Sequence, residues 1–166
     1  MSDWKEILTQ NDIDELLDLY GGFHDACIVS VEYKSGLYVG DERSVYDDGS
    51  VKFNTGTMYF DEPDKCGALL TFHSQWFEKP LQLYFSGVRK IYLQGRMDNY
   101  MNDIMDASIK FYDGLLPHKY SMPERVIVWA DGDDFDAETY VTAAKEEPDY
   151  SYVIANALKW RFIESK

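Results

Sequence analysis

Hydrophobic residues near the amino terminus recur at the spacing of a one-sided helix. Within residues 3–20 they occupy i, i+3, i+4 and i+7 positions, namely Trp4, Ile7, Leu8, Ile13, Leu16, Leu17 and Tyr20. Polar residues 9–12 interrupt this pattern, and either Thr9 or Asn11 can cap a second short helix. Gly21 and Gly22 end the helical segment, because glycine adopts the left-handed conformation at no side-chain cost.

After Gly22 the hydrophobic period changes to 2, the spacing typical of β-strands. Alternating segments cover residues 27–33, 68–77, 81–86, 88–94, 104–113, 125–130 and 150–162. The apolar run 125–130 predicts a central strand, and the even positions of 150–162 are assigned to one face of the sheet. Asp48-Gly49, between two apolar runs, predicts a two-residue hairpin turn, and Gly87 predicts a bulge or bend. Residues 136–145 predict a short surface helix.

One helical segment followed by about eight strands predicts an α+β fold. We expect the N-terminal helical segment to pack on a mostly antiparallel, curved β-sheet or sandwich. The chain has 166 residues, a length that favours one domain and that buries roughly 70% of the unfolded surface. Because no linker, repeat or low-complexity segment divides the sequence, we predict a single α+β domain spanning residues 1–166.

Charge narrows the classes of partner. The sequence carries 30 Asp and Glu against 16 Lys and Arg, a formal net charge of −14. Nucleic acids and anionic membranes are bound through basic stripes, and this sequence has none. We therefore expect no nucleic-acid partner and no membrane partner. A basic protein is the partner that this charge favours.

Targeting and redox features predict a cytoplasmic protein. No basic region followed by an apolar stretch begins the sequence, and no run approaches the about 18 apolar residues of a membrane helix. Two cysteines are too few for a disulfide framework. Cys27 is expected to pack as a small hydrophobic residue, and Cys66 is expected in a turn beside Lys65. No nucleotide, metal or other cofactor motif is recognised, so no cofactor is expected.

An adjacent pair, His24-Asp25, follows the double glycine. Such pairs bind metal in helical phosphohydrolases, where further His and Asp ligands come from other helices. This sequence has only two other histidines, His73 and His118, and its pattern is mostly strand. The favoured interpretation is structural: His24 or Asp25 ties the junction by bonding to backbone amides. A binding role for the pair stays open.

The densest charge follows the segment 125–130. Residues 131–149 contain eight acids and one basic residue, Lys145. The run does not match a helix-loop-helix calcium site, which needs glycine at its sixth position and Glu at its twelfth. Asp134 or Asp136 is expected to cap the following helix. The favoured interpretation of this charge run is a solvated face of the protein. The sharper hypothesis is a surface that receives a cationic partner, and its candidate residues are Asp131, Asp133, Asp134, Asp136 and Glu138.

Three stretches carry a family resemblance. Phe23-His24-Asp25 stands at the start of the sheet, residues 81–88 contain an LxFxGV strand, and residues 156–161 close the chain with Asn-Ala-Leu-Lys-Trp-Arg. Together they resemble small bacterial proteins that include proposed immunity proteins of polymorphic toxin systems. The resemblance covers about half of the chain, and residues 95–100 depart from it. It implies a non-enzymatic protein whose surface blocks a toxin, without assigning a role to any residue.

These observations predict a protein-binding module without enzymatic activity, of the immunity type, that neutralises a cationic toxin through an acidic surface. The alternative is a small-molecule or carbohydrate-binding domain, or a hydrolase, with an aromatic-lined groove and paired carboxylates. The aromatic residues considered for that groove are Trp76, Phe77, Tyr84 and Tyr92. A homodimer paired through strand edges or aromatic patches is a third alternative.

Overall fold

The computed structural model describes residues 3–42, 45–50, 56–62, 65–95, 103–117, 123–142 and 149–164. These ranges form nine strands, two α-helices and a 3-10 turn at Gly21–Phe23. The strands are β1 (Lys5–Ile7), β2 (Ala26–Lys34), β3 (Leu37–Val39), β4 (Met58–Phe60), β5 (Gly67–Ser74), β6 (Leu81–Tyr92), β7 (Ser108–Asp113), β8 (Arg125–Ala130) and β9 (Tyr152–Phe162). The helices are α1 (Gln10–Leu19) and α2 (Ala137–Thr142). The fold is α+β, which confirms the predicted class.

Seven strands form one antiparallel sheet. Its order is β2-β5-β6-β9-β8-β7, with β1 also paired to β9. β6 runs along one side of β9, while β1 and β8 share the other side at opposite ends. A single bridge from Ala26 to Ile104 connects the start of β2 with the segment that leads into β7. The sheet edges thus approach each other without closing into a barrel. β3 and β4 form a separate two-stranded sheet.

The amino-terminal helix begins later than the hydrophobic spacing predicts. Residues 5–7 form β1 instead, and Ile7 is buried opposite Leu158 of β9. α1 begins at Gln10 behind a capping box in which Asp12 N–H donates to the Thr9 hydroxyl at 3.4 Å. The Asp12 carboxylate in turn accepts from Thr9 N–H at 2.7 Å. Thr9 is therefore the cap that the fold uses.

Apolar side chains pack into two clusters on opposite faces of the sheet. The main cluster joins Ile13 and Leu16 of α1 to β5, β6, β8 and β9. A second cluster lies around Phe135 and α2. Alternate residues of β8 enter one cluster or the other, so this strand is buried on both faces and reads as a continuous apolar run. β8 pairs with β9 on one side and with β7 on the other, so it is an interior strand, as the apolar run predicts, although it is second from the edge.

The alternation of side chains along β9 changes phase near Asn156. Ala155 and Leu158 both pack in the main cluster although they are three residues apart, whereas Ile154 packs in the second cluster. Opposite Asn156, Gly87 of β6 has a φ of +63°, and a Cβ there would overlap the Asn156 amide. Only glycine permits this approach, and a register shift follows in β6. Gly87 therefore marks a bend as predicted, and the single face assigned to 150–162 is wrong.

The remaining differences from the predicted elements are local. β7 begins at Ser108 rather than at residue 104, and α2 covers Ala137–Thr142 of the predicted 136–145, with residues 143–148 outside the described ranges. Asp48-Gly49 does form a turn, in which Gly49 N–H donates to the Tyr46 carbonyl at 2.9 Å. The predicted strand partner at residues 51–53 lies outside the described residues. No helix of the described residues is long and apolar enough to cross a membrane.

Candidate functional site

The junction between α1 and β2 has an unusual backbone. Four of its residues have a positive φ: Gly21 at 57°, Gly22 at 62°, Phe23 at 67° and Asp25 at 52°. For a residue with a Cβ this conformation costs roughly 1–2 kcal/mol, so packing must hold Phe23 and Asp25 in place. Such strain persists only where surrounding contacts over-determine it, and it is concentrated at functional sites.

Burial of the Phe23 ring supplies that packing. Phe23 is fully buried, with its ring centroid 5.1 Å from those of both Tyr20 and Phe72. Burying a phenylalanine side chain contributes about 1.5–3 kcal/mol, which is comparable to the cost of the turn. The main chain is also tied down, since Ala107 N–H donates to the Gly22 carbonyl at 2.9 Å. The junction is therefore a rigid connection that holds the next two residues at the surface.

His24 is exposed and bonds to a main-chain carbonyl. Its Nδ1 lies 2.6 Å from the Met105 carbonyl oxygen, so Nδ1 carries the proton and donates. Its Nε2 lies 3.7 Å from Asp25 Oδ2. The Met105 carbonyl, and after it the Asp25 carboxylate, raises the pKa of His24 above its ordinary value. His24 thus ties the junction to the segment before β7, but it does so through a main-chain carbonyl rather than through the backbone amides that the structural interpretation predicts.

Asp25 fixes an exposed tryptophan. Its Oδ2 accepts the indole N–H of Trp76 at 2.8 Å, and its main-chain carbonyl accepts Gln75 N–H at 3.1 Å. The hydroxyl of Ser74 accepts the main-chain N–H of Trp76 at 3.1 Å. Trp76 is nevertheless 70% exposed. Exposed side chains ordinarily change rotamer within nanoseconds, so these bonds present a pre-positioned ring to the solvent.

We use the name junction surface for the surface formed by His24, Asp25, Trp76 and Met105. Met105 is 58% exposed, and its carbonyl holds the His24 ring. Beside Trp76, residues 73–78 and Pro80 line an open cavity of about 340 Å³. A fixed indole, a flexible thioether and an ionisable imidazole suit contact with another macromolecule, because tryptophan is enriched at binding hot spots and methionine adapts to irregular surfaces.

Two of the acidic candidates after β8, Asp134 and Asp136, form hydrogen bonds within the local structure. Asp136 caps α2, and its carboxylate accepts the Thr139 hydroxyl at 2.6 Å and Glu138 N–H at 3.1 Å. The Thr139 bond is the main cause that lowers the pKa of Asp136. Asp134 Oδ1 accepts the Tyr150 hydroxyl at 2.7 Å, and this bond is the main cause that raises the pKa of Tyr150 to about 12. Both carboxylates are thus engaged within the segment.

The other three acidic candidates differ in exposure. Asp131 is half-buried, and its Oδ1 accepts Ser151 N–H at 2.8 Å. Burial raises the pKa of Asp131, and hydrogen bonds with Ser151 oppose that effect. Asp133 and Glu138 are exposed. Asp134 and Asp136 are exposed as well, although they bond within the local structure, so Asp131 is the one of the five candidates that is partly withdrawn from solvent.

Two of the four aromatic residues considered for a ligand groove, Trp76 and Phe77, line the same open cavity, and Tyr84 and Tyr92 are not among its lining residues. Trp76 belongs to the junction surface, Phe77 stacks on Tyr20, Tyr84 contacts Trp4, and Tyr92 stacks on Tyr152. The Phe77 and Tyr20 rings are 5.1 Å apart, at the margin of the main cluster. Tyr84 and Tyr92 belong to β6, whereas Trp76 and Phe77 follow the end of β5, so the described structure does not gather the four rings into one groove.

Candidate metal ligands and cysteines are likewise dispersed. Within the part of the chain that the structure describes, no three His, Cys, Asp or Glu side chains are grouped to hold a metal ion. Cys27 and Cys66 are unpaired and half-buried. The Tyr33 hydroxyl lies 3.5 Å from Cys66 Sγ, and this contact is the main cause that raises the pKa of Tyr33.

Two surface features have no clear signal in the sequence. Asp25 and Trp76 are 51 residues apart, and the pairing of β2 with β5 brings them together. Exposed apolar side chains also continue through β2, β3 and β4, at Val29, Val31, Tyr33, Leu37, Tyr38, Val39, Met58 and Phe60.

Comparisons of this chain with models of protein families, with curated proteins and with solved structures found no match.

Proposed function

We propose that this protein is a non-enzymatic binding module for a basic protein, of the immunity type, and that the junction surface is its principal contact. The observation that carries the proposal is the exposed Trp76 ring, which the Asp25 carboxylate holds at 2.8 Å. A ring fixed before binding loses little entropy when a partner covers it. This is the property of the tryptophan anchors that dominate many protein interfaces.

Charge supports the same proposal. A formal charge of −14 attracts basic proteins over a distance of about a Debye length, which is roughly 10 Å at 0.1 M salt. Such attraction mainly accelerates association and orients the encounter. The exposed carboxylates of Asp133 and Glu138 contribute to this field. Electrostatic steering and an aromatic anchor are therefore separate parts of the proposal, and they respond to different tests.

The experiment is a quantitative capture from source-cell lysate with three tagged baits. Trp76→Ala removes the anchor, while Phe60→Ala is the matched control because Phe60 is also an exposed aromatic, at 75%. We expect the wild-type and Phe60→Ala baits to retain a basic protein that Trp76→Ala binds about 30-fold more weakly, as for a hot spot of about 2 kcal/mol. Equal retention by Trp76→Ala would contradict the proposed contact.

The captured partner also allows the electrostatic part to be tested. Binding of the purified pair is measured at low and high salt by surface plasmon resonance. We expect the association rate to fall with salt while the dissociation rate changes little. An association rate that is independent of salt would remove electrostatic steering from the proposal and leave the Trp76 anchor in place.

One specific cavity favours the alternative function, binding of a small molecule. A mostly apolar cavity of about 650 Å³ lies between β3, β4 and the bend of β6, with Leu37, Phe60 and Val88 among its walls. Its volume lies in the range of ligand sites, roughly 300–1,000 Å³. A thermal-shift screen of wild type and Val88→Trp, which fills the cavity, tests this alternative. Stabilisation by a compound in the wild type alone would favour it.

A further inference from the structure

We propose that a second cavity, beside Asp131, receives a lysine or arginine side chain of the basic partner. This inference rests on the proposed function and specifies how the partner's charge is held. It gives Asp131 a role of its own among the acidic candidates, because Asp131 lines this cavity.

The walls of this cavity suit an alkyl chain. The cavity has a volume of about 150 Å³ and lies where β6 and β8 end and β9 begins. Ile28 and Val31 of β2, together with Leu93 and Ile104, form its apolar sides. Lysine and arginine pack their methylene stems along apolar surfaces while their charged groups reach a polar partner. The apolar sides therefore match the stem of a basic side chain.

The polar end of the cavity suits a cationic group. Asp131 and Ser151 line it together, and Ser151 N–H donates to Asp131 Oδ1 at 2.8 Å. The Ser151 hydroxyl accepts Gln94 N–H at 2.9 Å, which fixes this residue in turn. No lysine or arginine within the described ranges forms an ion pair with Asp131. The carboxylate is thus held in place with its charge uncompensated by a basic side chain from those ranges.

Burial makes this carboxylate ready to accept a cation. Burial is the main cause that raises the pKa of Asp131, which means that the charged form has lost solvation. An ammonium or guanidinium group restores the lost stabilisation through a charge-assisted hydrogen bond. An anion would be repelled there, and a calcium ion needs six to eight oxygen ligands. A basic head group on an alkyl stem satisfies both ends of the cavity.

The cavity is also close to the proposed contact along the chain. Ile104 lines it, and the next residue, Met105, belongs to the junction surface. The Ala26–Ile104 bridge holds this segment against the start of β2. The segment that carries Ile104 and Met105 therefore contributes to both the cavity and the junction surface.

The test uses small cations in place of the partner. Isotope-labelled protein is titrated with n-butylammonium, n-butylguanidinium and, as a neutral control, n-butanol, and amide and methyl shifts are followed by NMR. We expect both cations to shift resonances of Ile104, Ser151 and Gln94, with n-butanol producing at least 10-fold weaker binding. Absence of shifts around the cavity, or equal binding of n-butanol, would overturn the proposal.

Two variants locate the binding. Asp131→Asn keeps an acceptor for Ser151 N–H but removes the charge, and Asp133→Asn makes the same charge change at an exposed position. We expect at least a 10-fold loss of cation binding in Asp131→Asn and none in Asp133→Asn. Equal binding in the Asp131 and Asp133 variants would refute the role of Asp131. If Asp131→Asn does not fold, Val31→Phe, which fills the mouth from β2, must abolish the shifts for the proposal to stand.

Capture experiments separate this inference from the proposed function. If Trp76→Ala loses the partner while Asp131→Asn retains it fully, the junction contact stands and the cavity proposal fails. If Asp131→Asn also retains at least 10-fold less partner than Asp133→Asn, the cavity belongs to the interface. If Trp76→Ala retains the partner fully while the small cations bind at Asp131, the junction contact fails and the cation site stands by itself.

Discussion

The junction surface and the acidic segment after β8 use their carboxylates in opposite ways. Asp25 reaches across 51 residues to hold the exposed Trp76 ring. In the acidic segment, Asp136 caps its own helix and Asp134 binds Tyr150, a neighbour in the second cluster. The first carboxylate therefore prepares a contact with the outside, and the other two stabilise local structure. A dense acidic sequence does not by itself indicate how many carboxylates are available to a partner.

The junction surface and the acidic segment also differ in backbone strain, that is, in the free-energy cost of holding residues at a positive φ. The junction holds Phe23 and Asp25 at positive φ, whereas the acidic segment has no positive-φ residue among its described positions. The strain at Phe23 is offset by burial of its ring in the main cluster. The acidic segment follows the ordinary preferences of a helix start, with an aspartate as cap. The contrast yields four predictions, from the largest expected effect to the smallest.

The largest effect is expected from removing the buried aromatic residue of each region. Phe23→Ala should lower the free energy of unfolding by about 3–5 kcal/mol, because its site lies within the main cluster. Phe135→Ala should lower the free energy of unfolding by about 3 kcal/mol, because the half-buried rings of Tyr140 and Tyr150 can move into the cavity that the substitution leaves. Urea unfolding followed by circular dichroism measures both values. A larger loss for Phe135→Ala would contradict the ranking.

The next effect separates the backbone of Asp25 from its side chain. Asp25→Ala should destabilise the protein by about 1–2 kcal/mol, because alanine tolerates positive φ poorly and the bond to Trp76 is lost. Asp25→Gly loses the same bond but relieves the strain, so it should recover about 1 kcal/mol of this difference. Both variants should broaden the distribution of Trp76 fluorescence lifetimes. Equal stability of the two variants would show that the backbone is not strained.

A smaller effect is expected within the acidic segment. Asp136→Ala removes the α2 cap and should accelerate hydrogen exchange at the start of that helix and lower Tm slightly. Asp133→Ala removes the same charge at an exposed position and should leave exchange in α2 unchanged. Hydrogen-exchange mass spectrometry with both variants makes this comparison. The interpretation of Asp136 as a cap fails if both variants exchange alike.

The smallest effect concerns pH at the junction. The bond to the Met105 carbonyl, followed by the Asp25 charge, raises the pKa of His24. The resulting stabilisation is fully present below the ordinary histidine pKa of about 6.5 and is lost as pH rises through the raised folded value. NMR titration of the imidazole should therefore give a pKa above about 6.5. Asp25→Asn should lower that pKa without returning it to the ordinary value, because the Met105 bond remains.

Asp133→Asn is the control for the His24 titration, since it changes the net charge equally at a position outside the junction. It should leave the imidazole pKa within experimental error of the wild-type value. A His24 pKa at or below that of an unperturbed histidine would show that the Met105 bond does not stabilise the charged ring. An Asp133→Asn shift as large as that of Asp25→Asn would assign the effect to general charge rather than to the adjacent carboxylate.

The parts of the fold that could be predicted from the sequence are those set by interactions between residues close together in the chain. Thr9 and Asp136 cap helices because their side chains bond to main-chain groups within three residues, which a sequence displays directly. Residues 5–7 were misassigned because the spacing of Trp4, Ile7 and Leu8 fits a helix, whereas pairing with β9 buries Ile7 in a strand. Long-range pairing outweighed local spacing in that segment.

Some features of the candidate site could be anticipated, and others could not. His24 and Asp25 stand out by their type and their place after two glycines, and the acidic residues by their number. The partner of the Asp25 carboxylate depends on the register between β2 and β5. Likewise, the cavity beside Asp131 is lined by residues of β2, by Ile104 and by residues at the ends of β6 and β8, which are distant in the sequence. Neither relationship is encoded in any short stretch of residues.

The sequence by itself determined the α+β class, the approximate positions of β2 and of β5 to β9, the turn at Asp48-Gly49 and the strong negative charge. The elements follow from the alternation of hydrophobic and polar residues and from helix capping, both of which depend on residues that are close in the sequence. The net charge is a sum over the whole chain. Only the tertiary structure decided the sheet order, the phase change at Gly87 and Asn156, and which carboxylates are held inside. Those features depend on contacts between distant residues, whose free energy arises only when the strands pair and the two clusters exclude water.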